Sequence, residues 1–273
     1  MREMTLRDIQ MVSLDILKQV HKFCCENGIR YSLAYGTLIG AIRHKGFIPW
    51  DDDLDIMMPR PDYDRFCKTF RAQGYEVVSL KTHKDCMIPF ARVCDTARTC
   101  LNTLAPWIRN QGDLGVWIDV FPVDAVSDDY DEFTRTYEKS LKLQEKSVKS
   151  RKAMRPFTSK MPFNFNLNTL KKKIFYLFMR SPEAILREKE KITGSIPYGT
   201  TNHISLLSYT GRKTFLEKDY MENYHLTPFE DSEFFVIDRY DEYLRSVYGD
   251  YMVLPPEKER HPMQFYIEFY WKE

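Results

Sequence analysis

The stretch Trp50-Asp51-Asp52-Asp53-Leu54-Asp55-Ile56 holds four carboxylates within five residues, and the rest of the sequence is best interpreted from it. Like charges this close repel one another unless a cation relieves them. The run continues to Met58 and ends at Pro59, which favours a strand. Because side chains alternate along a strand, we expect Asp53 and Asp55 on one face, about 7 Å apart. Asp51 joins them if the extended backbone begins early, and a solvated acidic turn is the alternative.

Carboxylates grouped in this way predict a divalent metal site. Mg²⁺ and Mn²⁺ prefer oxygen ligands, so Asp53 and Asp55, with Asp51, are the candidate ligands. The apolar stretch Val116 to Phe121 contains one acid, Asp119, and a buried unpaired carboxylate is costly. Asp119 is therefore the candidate third ligand, and Asp124 is held in reserve. The alternative is that Asp119 caps a turn or pairs with an arginine.

A second motif precedes the acidic run. Gly36 and Thr37 lie between a predicted strand and a predicted helix, where backbone N–H groups and the helix N-terminus favour a phosphate. The motif lies about sixteen residues before the Asp-x-Asp pair. This spacing predicts a phosphate cradle beside the metal site.

Cations lie between these two motifs. Arg43, His44 and Lys45 could neutralise a diphosphate, although His44 could equally hydrogen-bond its own loop. Arg92, on a predicted strand, is a further candidate phosphate contact, and a structural role is the alternative.

The remaining pattern predicts a mixed α/β fold (α+β, with a mixed sheet) and a C-terminal helical segment. Residues 186 to 211 are expected to be irregular. Helices are predicted at 5–27, 36–43, 61–73 and 234–247, and strands at 29–34, 54–58, 76–80, 88–93, 97–101 and 116–121.

Charge is distributed unevenly along the chain. Residues 142–180 contain eleven Lys or Arg and one acid, Glu145, whereas the whole chain has a net charge of +1. We therefore expect one domain, 1–273, with a core of 1–135 and 200–273 and a basic helical insertion at about 140–195. The cluster Lys171-Lys172-Lys173 precedes a short apolar run up to Arg180. This pattern fits a helix lying on an anionic membrane and, equally, a helix covering the core.

Composition excludes several classes of protein. A net charge of +1 does not predict a nucleic-acid-binding surface, so no nucleic-acid partner is expected. The charged N-terminus is unlike a secretory signal, and no run approaches the ~18 apolar residues of a membrane span. Six cysteines without a Cys-x-x-Cys pair predict reduced, mostly buried thiols in a cytoplasmic protein.

Three stretches together resemble the LicD family, whose members transfer phosphocholine or related phospho-groups to cell-surface glycans. They are Gly36 to Asp55, Asp119-Val120-Phe121-Pro122-Val123-Asp124, and the tail from Tyr248-Gly249-Asp250 to Pro256. The resemblance is dense from about residue 5 to 125, thin across the basic segment, and resumes near 235.

The resemblance implies a nucleotidyltransferase-like core, Mg²⁺ or Mn²⁺, and a CDP-linked donor such as CDP-choline. It also implies a glycan or lipid-linked glycan acceptor, such as a precursor of lipopolysaccharide, teichoic acid or capsule. A cytoplasmic enzyme would meet such an acceptor at the inner face of the membrane, where the basic segment could dock. On this basis Asp53, Asp55 and Asp119 are the expected catalytic residues. The expected donor-binding residues are Gly36, Thr37, Arg43, His44, Lys45, Arg92 and Trp50.

Three other functions stay open from the sequence. The donor could carry another polyol phosphate, such as ribitol phosphate; the reaction could be nucleotidyl transfer; or the chain could be an inactive glycan-binding scaffold. A choline head group would be selected by aromatic rings, because a quaternary ammonium donates no hydrogen bond. Tyr35, Trp50 and Trp107 are the candidate rings, with core packing or glycan stacking as the alternative.

Overall fold

A mixed sheet is the centre of the fold in a computed structural model that describes residues 1–84, 86–102, 114–153, 180–208, 214–262 and 268–272. The strands are β1 Ser32–Leu33, β2 Asp55–Pro59, β3 Tyr75–Val78, β4 Ala91–Asp95, β5 Thr99–Asn102, β6 Trp117–Val126, β7 His203–Ser205, β8 Leu216–Glu217, β9 Tyr224–Phe229, β10 Ser232–Ile237 and β11 Glu268–Trp271. The strand order of the mixed sheet is β1-β2-β6-β4-β3, and β7 and β8 extend it from the second half of β6.

Six α-helices in the described ranges surround the strands. They are α1 Leu6–Asn27, α2 Tyr35–Ile39, α3 Arg60–Thr69, α4 Tyr130–Ala153, α5 Pro182–Thr193 and α6 Tyr240–Tyr248. A π-helical turn, Gly40–His44, continues α2, and single 3₁₀ turns lie at Lys218–Met221 and Glu257–Glu259. The predicted mixed α/β class is confirmed.

The pairing of β2 with β6 is parallel, whereas the other strand pairs in the described chain are antiparallel. A parallel pair needs a crossover connection. Here the crossover includes α3, β3, β4 and β5. The arrangement brings residues more than sixty positions apart in the chain side by side at the centre of the sheet.

Helix α1 has the boundaries that its sequence signals predict. Thr5 and Asp8 form a reciprocal capping box, and Gly28 ends the helix in the left-handed conformation at φ 58°. The apolar face of α1 is buried and packs on β4 and β6. This packing covers one face of the sheet at β4 and β6.

Two predictions in the second half were wrong. Residues 234–237 belong to strand β10, which pairs with β9 in a hairpin, and the following helix begins only at Tyr240. The run Phe234-Phe235-Val236-Ile237 is aromatic and β-branched, and such residues favour a strand. Residues 186–211 are not irregular, because they contain part of α5 and all of β7. Ser181 caps α5 and Pro182 is its first residue, a start signal that the sequence already carried.

The predicted division of the domain stays a prediction. Helix α4 runs from 130 to 153 without a break, across the expected start of the insertion, and packs against α5. The cluster Lys171-Lys172-Lys173 and the apolar run after it lie outside the described residues. No helix among the described residues is long and apolar enough to cross a membrane. The six cysteines form no disulfide among the described residues, and four of them are buried.

Asp124, the reserve carboxylate, has a structural partner. Its two oxygens accept from Nε and Nη2 of Arg60, at 2.6 and 2.9 Å, at the start of α3. The Asp124 side chain is fully buried and that of Arg60 is 13% exposed. Asp124 therefore joins β6 to α3 and is not part of the acidic group described below.

Lys189 of α5 is buried beside this pair. Its ammonium group donates to Gln144 Oε1 at 3.0 Å and to the carbonyl of Ser208 at 3.3 Å, and the residue is 1% exposed. Burial lowers the pKa of Lys189 to about 8, and the charge of Asp124 only partly opposes this. The lysine ties α4 and α5 to the segment that follows β7.

We predict that Asp124→Asn lowers the free energy of unfolding by about 3 kcal/mol, because it removes the fully buried carboxylate that accepts both hydrogen bonds from the Arg60 guanidinium. Urea denaturation measures the change. Asp64→Asn is the matched control, because Asp64 lies 3.7 Å from Arg60 but is 43% exposed. The control should lose less than about 1 kcal/mol. Equal losses would contradict the assignment.

We also predict that stability rises with pH above the pKa of Lys189, about 8. Up to the ordinary lysine pKa of about 10.4, the unfolded chain holds a proton that the folded chain has released. The unfolded state therefore binds more protons, and the gain approaches about 3 kcal/mol. Denaturation at pH 7.5 and at pH 10 should show the rise in the parent and in Lys191→Met, an exposed control on the same helix. In Lys189→Met the free energy of unfolding should rise much less between these two pH values. An unchanged rise in this variant would show that another group causes it.

Candidate active site

Asp55 and Asp119 lie side by side, as the parallel register of β2 and β6 requires. They are direct register partners, and the N–H of Asp119 donates to the carbonyl of Leu54 at 2.8 Å. Partner residues of adjacent strands project to the same face of a sheet. The two carboxylates predicted from separate stretches of sequence therefore meet at one place.

Arg92 of β4 lies on the other side of Asp119. The two are register partners, and Nε of Arg92 donates to Oδ1 of Asp119 at 2.8 Å. The guanidinium also lies 4.1 Å from the centre of the Trp117 ring. Asp119 therefore pairs with an arginine, which was the alternative to a role as metal ligand. The pairing does not prevent Asp119 from also contributing to the candidate active site. Contact between Arg92 and a phosphate stays a prediction.

The acidic loop (Asp51, Asp52 and Asp53) reaches the same place by a different route from the one expected. Strand β2 begins at Asp55, so strand alternation does not set the position of Asp53. The loop is half-buried, and each of its three residues offers a carboxylate oxygen within 4.8 Å of the others. The backbone is held from both sides, by the Asp51 N–H donating to the Ile48 carbonyl and by Gln10 Nε2 donating to the Asp51 carbonyl, both at 2.9 Å.

Gly36 and Thr37 shape the contact between α2 and the acids. A Cβ atom on Gly36 would lie 2.8 Å from Oδ2 of Asp51, so only glycine lets that carboxylate approach the helix so closely. Thr37 Oγ1 accepts from the Asp55 N–H at 2.7 Å and fixes the first residue of β2. Both residues therefore position the acids, and the phosphate cradle predicted for them stays a prediction.

Electrostatics at this point oppose full ionisation. Burial raises the pKa of Asp55 well above its usual range, and Asp53, Asp119 and Asp51 raise it further. Burial followed by Asp53 does the same to the pKa of Asp51. The pKa of Asp119 is raised by burial even though Arg92 lowers it. A group of acids that cannot all ionise alone is one that a cation would stabilise.

The donor atoms fit a hard divalent cation. All five acidic side chains offer carboxylate oxygens, the ligand type preferred by Mg²⁺ and Mn²⁺. Three of them already converge within 4.8 Å, and the other two are strand partners. In the described part of the chain, one cluster of three or more possible ligands has this compactness.

The cationic turn (Arg43, His44 and Lys45) lies next to the acidic loop, but its members differ in environment. Arg43 donates to the backbone carbonyl of Tyr251. The His44 ring packs edge-on to Trp50, with 6.4 Å between centroids, and burial followed by Arg43 lowers the pKa of His44. Lys45 is exposed. Their contact with a diphosphate stays a prediction.

The hairpin β9–β10 closes the loop that carries the cationic turn. Glu230, between the two strands, accepts from the Phe47 N–H at 3.1 Å and from Arg7 at 2.6 Å. Its own N–H donates to the Lys45 carbonyl at 2.8 Å. Within the loop, a Cβ on Gly40 would lie 2.5 Å from the carbonyl oxygen of Gly46. The hairpin and Gly40 together allow the chain to reverse direction after the cationic turn, so that the acidic loop follows close by.

An aromatic patch (Tyr35, Phe90 and Phe121) borders the acids. Phe121 is two residues beyond Asp119 on β6, and its ring centroid lies 4.5 Å from that of Phe90 and 5.2 Å from that of Tyr35. Phe90 is half-buried, whereas the other two rings are buried. Of the three rings proposed from sequence, Tyr35 joins this patch, Trp50 lies beside His44, and Trp107 is outside the described residues.

Four contributors were missed by sequence reasoning. Gln10 is a polar residue on the buried face of α1, and that position was the available signal. Phe90 and Phe121 could have been found by extending the strand register past Arg92 and Asp119. Arg260, whose guanidinium lies 5.5 Å from the centre of the Trp50 ring, gave no signal, because it lies about 200 residues further along the chain.

Comparison with known proteins finds similarity over nearly the whole chain. The family model described as "LicD/FKTN/FKRP, nucleotidyltransferase domain" matches residues 28–164. The chain is 32% identical over 272 residues to "Lipopolysaccharide cholinephosphotransferase LicD" of Haemophilus influenzae, covering 96% of this chain and 97% of that protein.

Two further relatives share a shorter region. Uncharacterized proteins of Rickettsia typhi and Rickettsia prowazekii are each 36% identical over 74 residues, 26% of this chain and 24% and 28% of their own lengths. The family model and the full-length relative together cover the acids, the cationic turn and both strands that carry the site. This chain therefore belongs to the LicD family.

Proposed function

We propose that this protein transfers phosphocholine from CDP-choline to a hydroxyl group of a lipopolysaccharide glycan, with the acids of β2, β6 and the acidic loop as its catalytic centre. The observation that carries the proposal is the register pairing of Asp55 with Asp119 beside the acidic loop. This pairing occurs in a chain that aligns over 96% of its length with a protein named lipopolysaccharide cholinephosphotransferase. An inactive scaffold would have no need to keep these acids crowded at a cost in stability.

The reaction requires an acceptor oxygen to bond to the choline-bearing phosphorus while the bond from that phosphorus to the bridging oxygen breaks. CMP leaves, and the acceptor hydroxyl loses its proton. A carboxylate that contacts the acceptor hydroxyl can take this proton as general base, and Asp119 is our candidate. Arg92 holds Asp119 in place, and Thr37 holds the backbone of Asp55.

The acidic loop, Asp55 and Asp119 would hold Mg²⁺ or Mn²⁺. When bound, such an ion offsets the negative charge of the donor diphosphate and of the transferring phosphoryl group. The protein's own residues would then orient the donor, the cationic turn through its phosphates and the aromatic patch through its head group.

The aromatic patch supports choline as the head group. Aromatic faces attract a quaternary ammonium by ~0.5–2 kcal/mol per ring. Phe90 is half-exposed beside the acids and packs on Phe121. The Arg92 guanidinium lies 5.9 Å from the Phe90 ring, but its charge is paired with Asp119. Trp50 fits less well, because the guanidinium of Arg260 already lies over it.

The function is tested by incubating the protein with choline-labelled CDP-choline, Mg²⁺ and a lipopolysaccharide acceptor. We expect CMP release with label transferred to the glycan. Asp55→Asn should lower kcat by at least about a hundredfold, because it removes a carboxylate of the catalytic centre. The melting temperature should not fall, because the substitution also removes one of several charges that repel one another. Asp231→Asn, an exposed acid paired with Lys18, is the control and should leave kcat unchanged.

Other products would decide against the proposal. Release of phosphocholine with CMP incorporated into the acceptor would indicate nucleotidyl transfer. Turnover of CDP-ribitol alone would indicate a polyol phosphate donor. Near-normal activity of Asp55→Asn would remove the acids from the catalytic role.

We predict that Phe90→Leu reduces the preference for CDP-choline over CDP-ribitol by about 2- to 30-fold, since it replaces one aromatic face with an aliphatic side chain. The ratio of the two kcat/KM values measures this change. Phe215→Leu is the control, because Phe215 is also a half-buried ring in an aromatic cluster, with Phe133 and His203, on another part of the sheet. An equal fall of both kcat/KM values in Phe90→Leu would assign the ring to packing alone.

A further inference from the structure

The C-terminal segment, residues 249–262, crosses the loop that carries the cationic turn. Arg43 binds the segment through the carbonyl of Tyr251 and, at 3.4 Å, that of Val253. In return the segment places the Arg260 guanidinium over the Trp50 ring, 5.5 Å from its centre. Trp50 immediately precedes the acidic loop, so the segment delivers a second arginine to the edge of the site.

The guanidinium groups of Arg43 and Arg260 lack the carboxylate partners that Arg60 and Arg92 have. Arg60 pairs with Asp124, and Arg92 pairs with Asp119. Across the described ranges, no carboxylate lies within ion-pair distance of Arg43 or Arg260. Their hydrogen bonds in the described chain go instead to backbone carbonyls and, for Arg43, to the His44 ring.

These cations also act on one another. The pKa of Arg43 is lowered by burial and then by the charge of Arg260. Like charges held together disfavour the folded state unless an anion relieves them. A guanidinium pair beside a carboxylate site is suited to a phosphate that contacts both.

We propose that Arg260 completes, with Arg43 and His44, a binding site for the phosphate groups of a nucleoside diphosphate donor. Trp50 acts as a platform that holds the Arg260 guanidinium in a fixed orientation, through a cation–π contact. The inference rests on the proposed function, because it assigns the site to the phosphates of that donor. Arg260 is then a donor-binding residue supplied by a part of the chain remote in sequence from the acids.

The experiment compares donor binding by the parent protein, Arg260→Gln and Arg260→Lys, using calorimetric titration with CDP-choline and, separately, with inorganic pyrophosphate. Loss of a charge-assisted contact should raise both dissociation constants about tenfold or more in Arg260→Gln. Arg260→Lys should restore part of the loss, because it keeps the charge but not the planar fork. In turnover assays KM for CDP-choline should rise much more than kcat falls.

Arg2→Gln is the matched control. Arg2 also lies over a tryptophan ring, 5.7 Å from the centre of Trp271, and its side chain is 69% exposed. The control makes the same change of charge and removes the same kind of contact. It should leave both dissociation constants unchanged within about twofold.

The outcomes separate this inference from the proposed function. Unchanged dissociation constants in Arg260→Gln, with or without a lower melting temperature, would overturn the inference and leave Arg260 as a clamp on Trp50. CMP release by the parent would still support the function in that case. If pyrophosphate binding depends on Arg260 but CDP-choline is not turned over, the phosphate site would be supported and CDP-choline would be excluded as the donor. A parent protein that binds neither ligand would overturn the inference.

Discussion

Repulsion among the carboxylates that converge on β2 and β6 is the constraint on which the rest of this structure depends. Their neighbours are arranged to tolerate it: Gln10 holds the backbone of the acidic loop, Thr37 holds the start of β2, and Arg92 pairs with Asp119. Gly36 leaves the space that a carboxylate needs beside α2. A fold that was selected for stability alone would replace some of these acids. Their retention fits the catalytic role proposed above.

Strand β6 shows how one element can serve two purposes. Asp119 and Asp124 are five residues apart, so strand alternation directs their side chains to opposite faces of the sheet. Asp119 meets Asp55 and the aromatic patch, whereas Asp124 is fully buried against Arg60 and lies close to Lys189. One acid of the strand therefore belongs to the site and the other to the attachment of α3 and α5. The distinction explains why only one of the two candidate carboxylates is found at the site.

Much of the N-terminal half could be predicted because its signals are local. The capping box at Thr5, the stop at Gly28 and the acid in the apolar stretch before Phe121 each depend on residues within a few positions of one another. The hairpin at Phe234 was mistaken for a helix, because a short apolar run fits both periods and only its partner strand decides between them. The start of β2 at Asp55 and the approach of Arg260 to Trp50 depend on contacts between distant segments. No local pattern encodes such contacts.

The contacts of Glu230 have a consequence for how the protein is made. This residue closes the loop around Phe47 across a separation of 183 positions. Contacts between residues so distant in sequence form late and slow folding. At a synthesis rate of 5–20 residues per second, the acids leave the ribosome about 10 to 40 s before the hairpin that closes their loop. During that interval the nascent chain carries an unbalanced acidic segment, which neither the hairpin nor the C-terminal segment yet covers. A chain truncated before Glu230 would therefore retain the acids but leave their loop open.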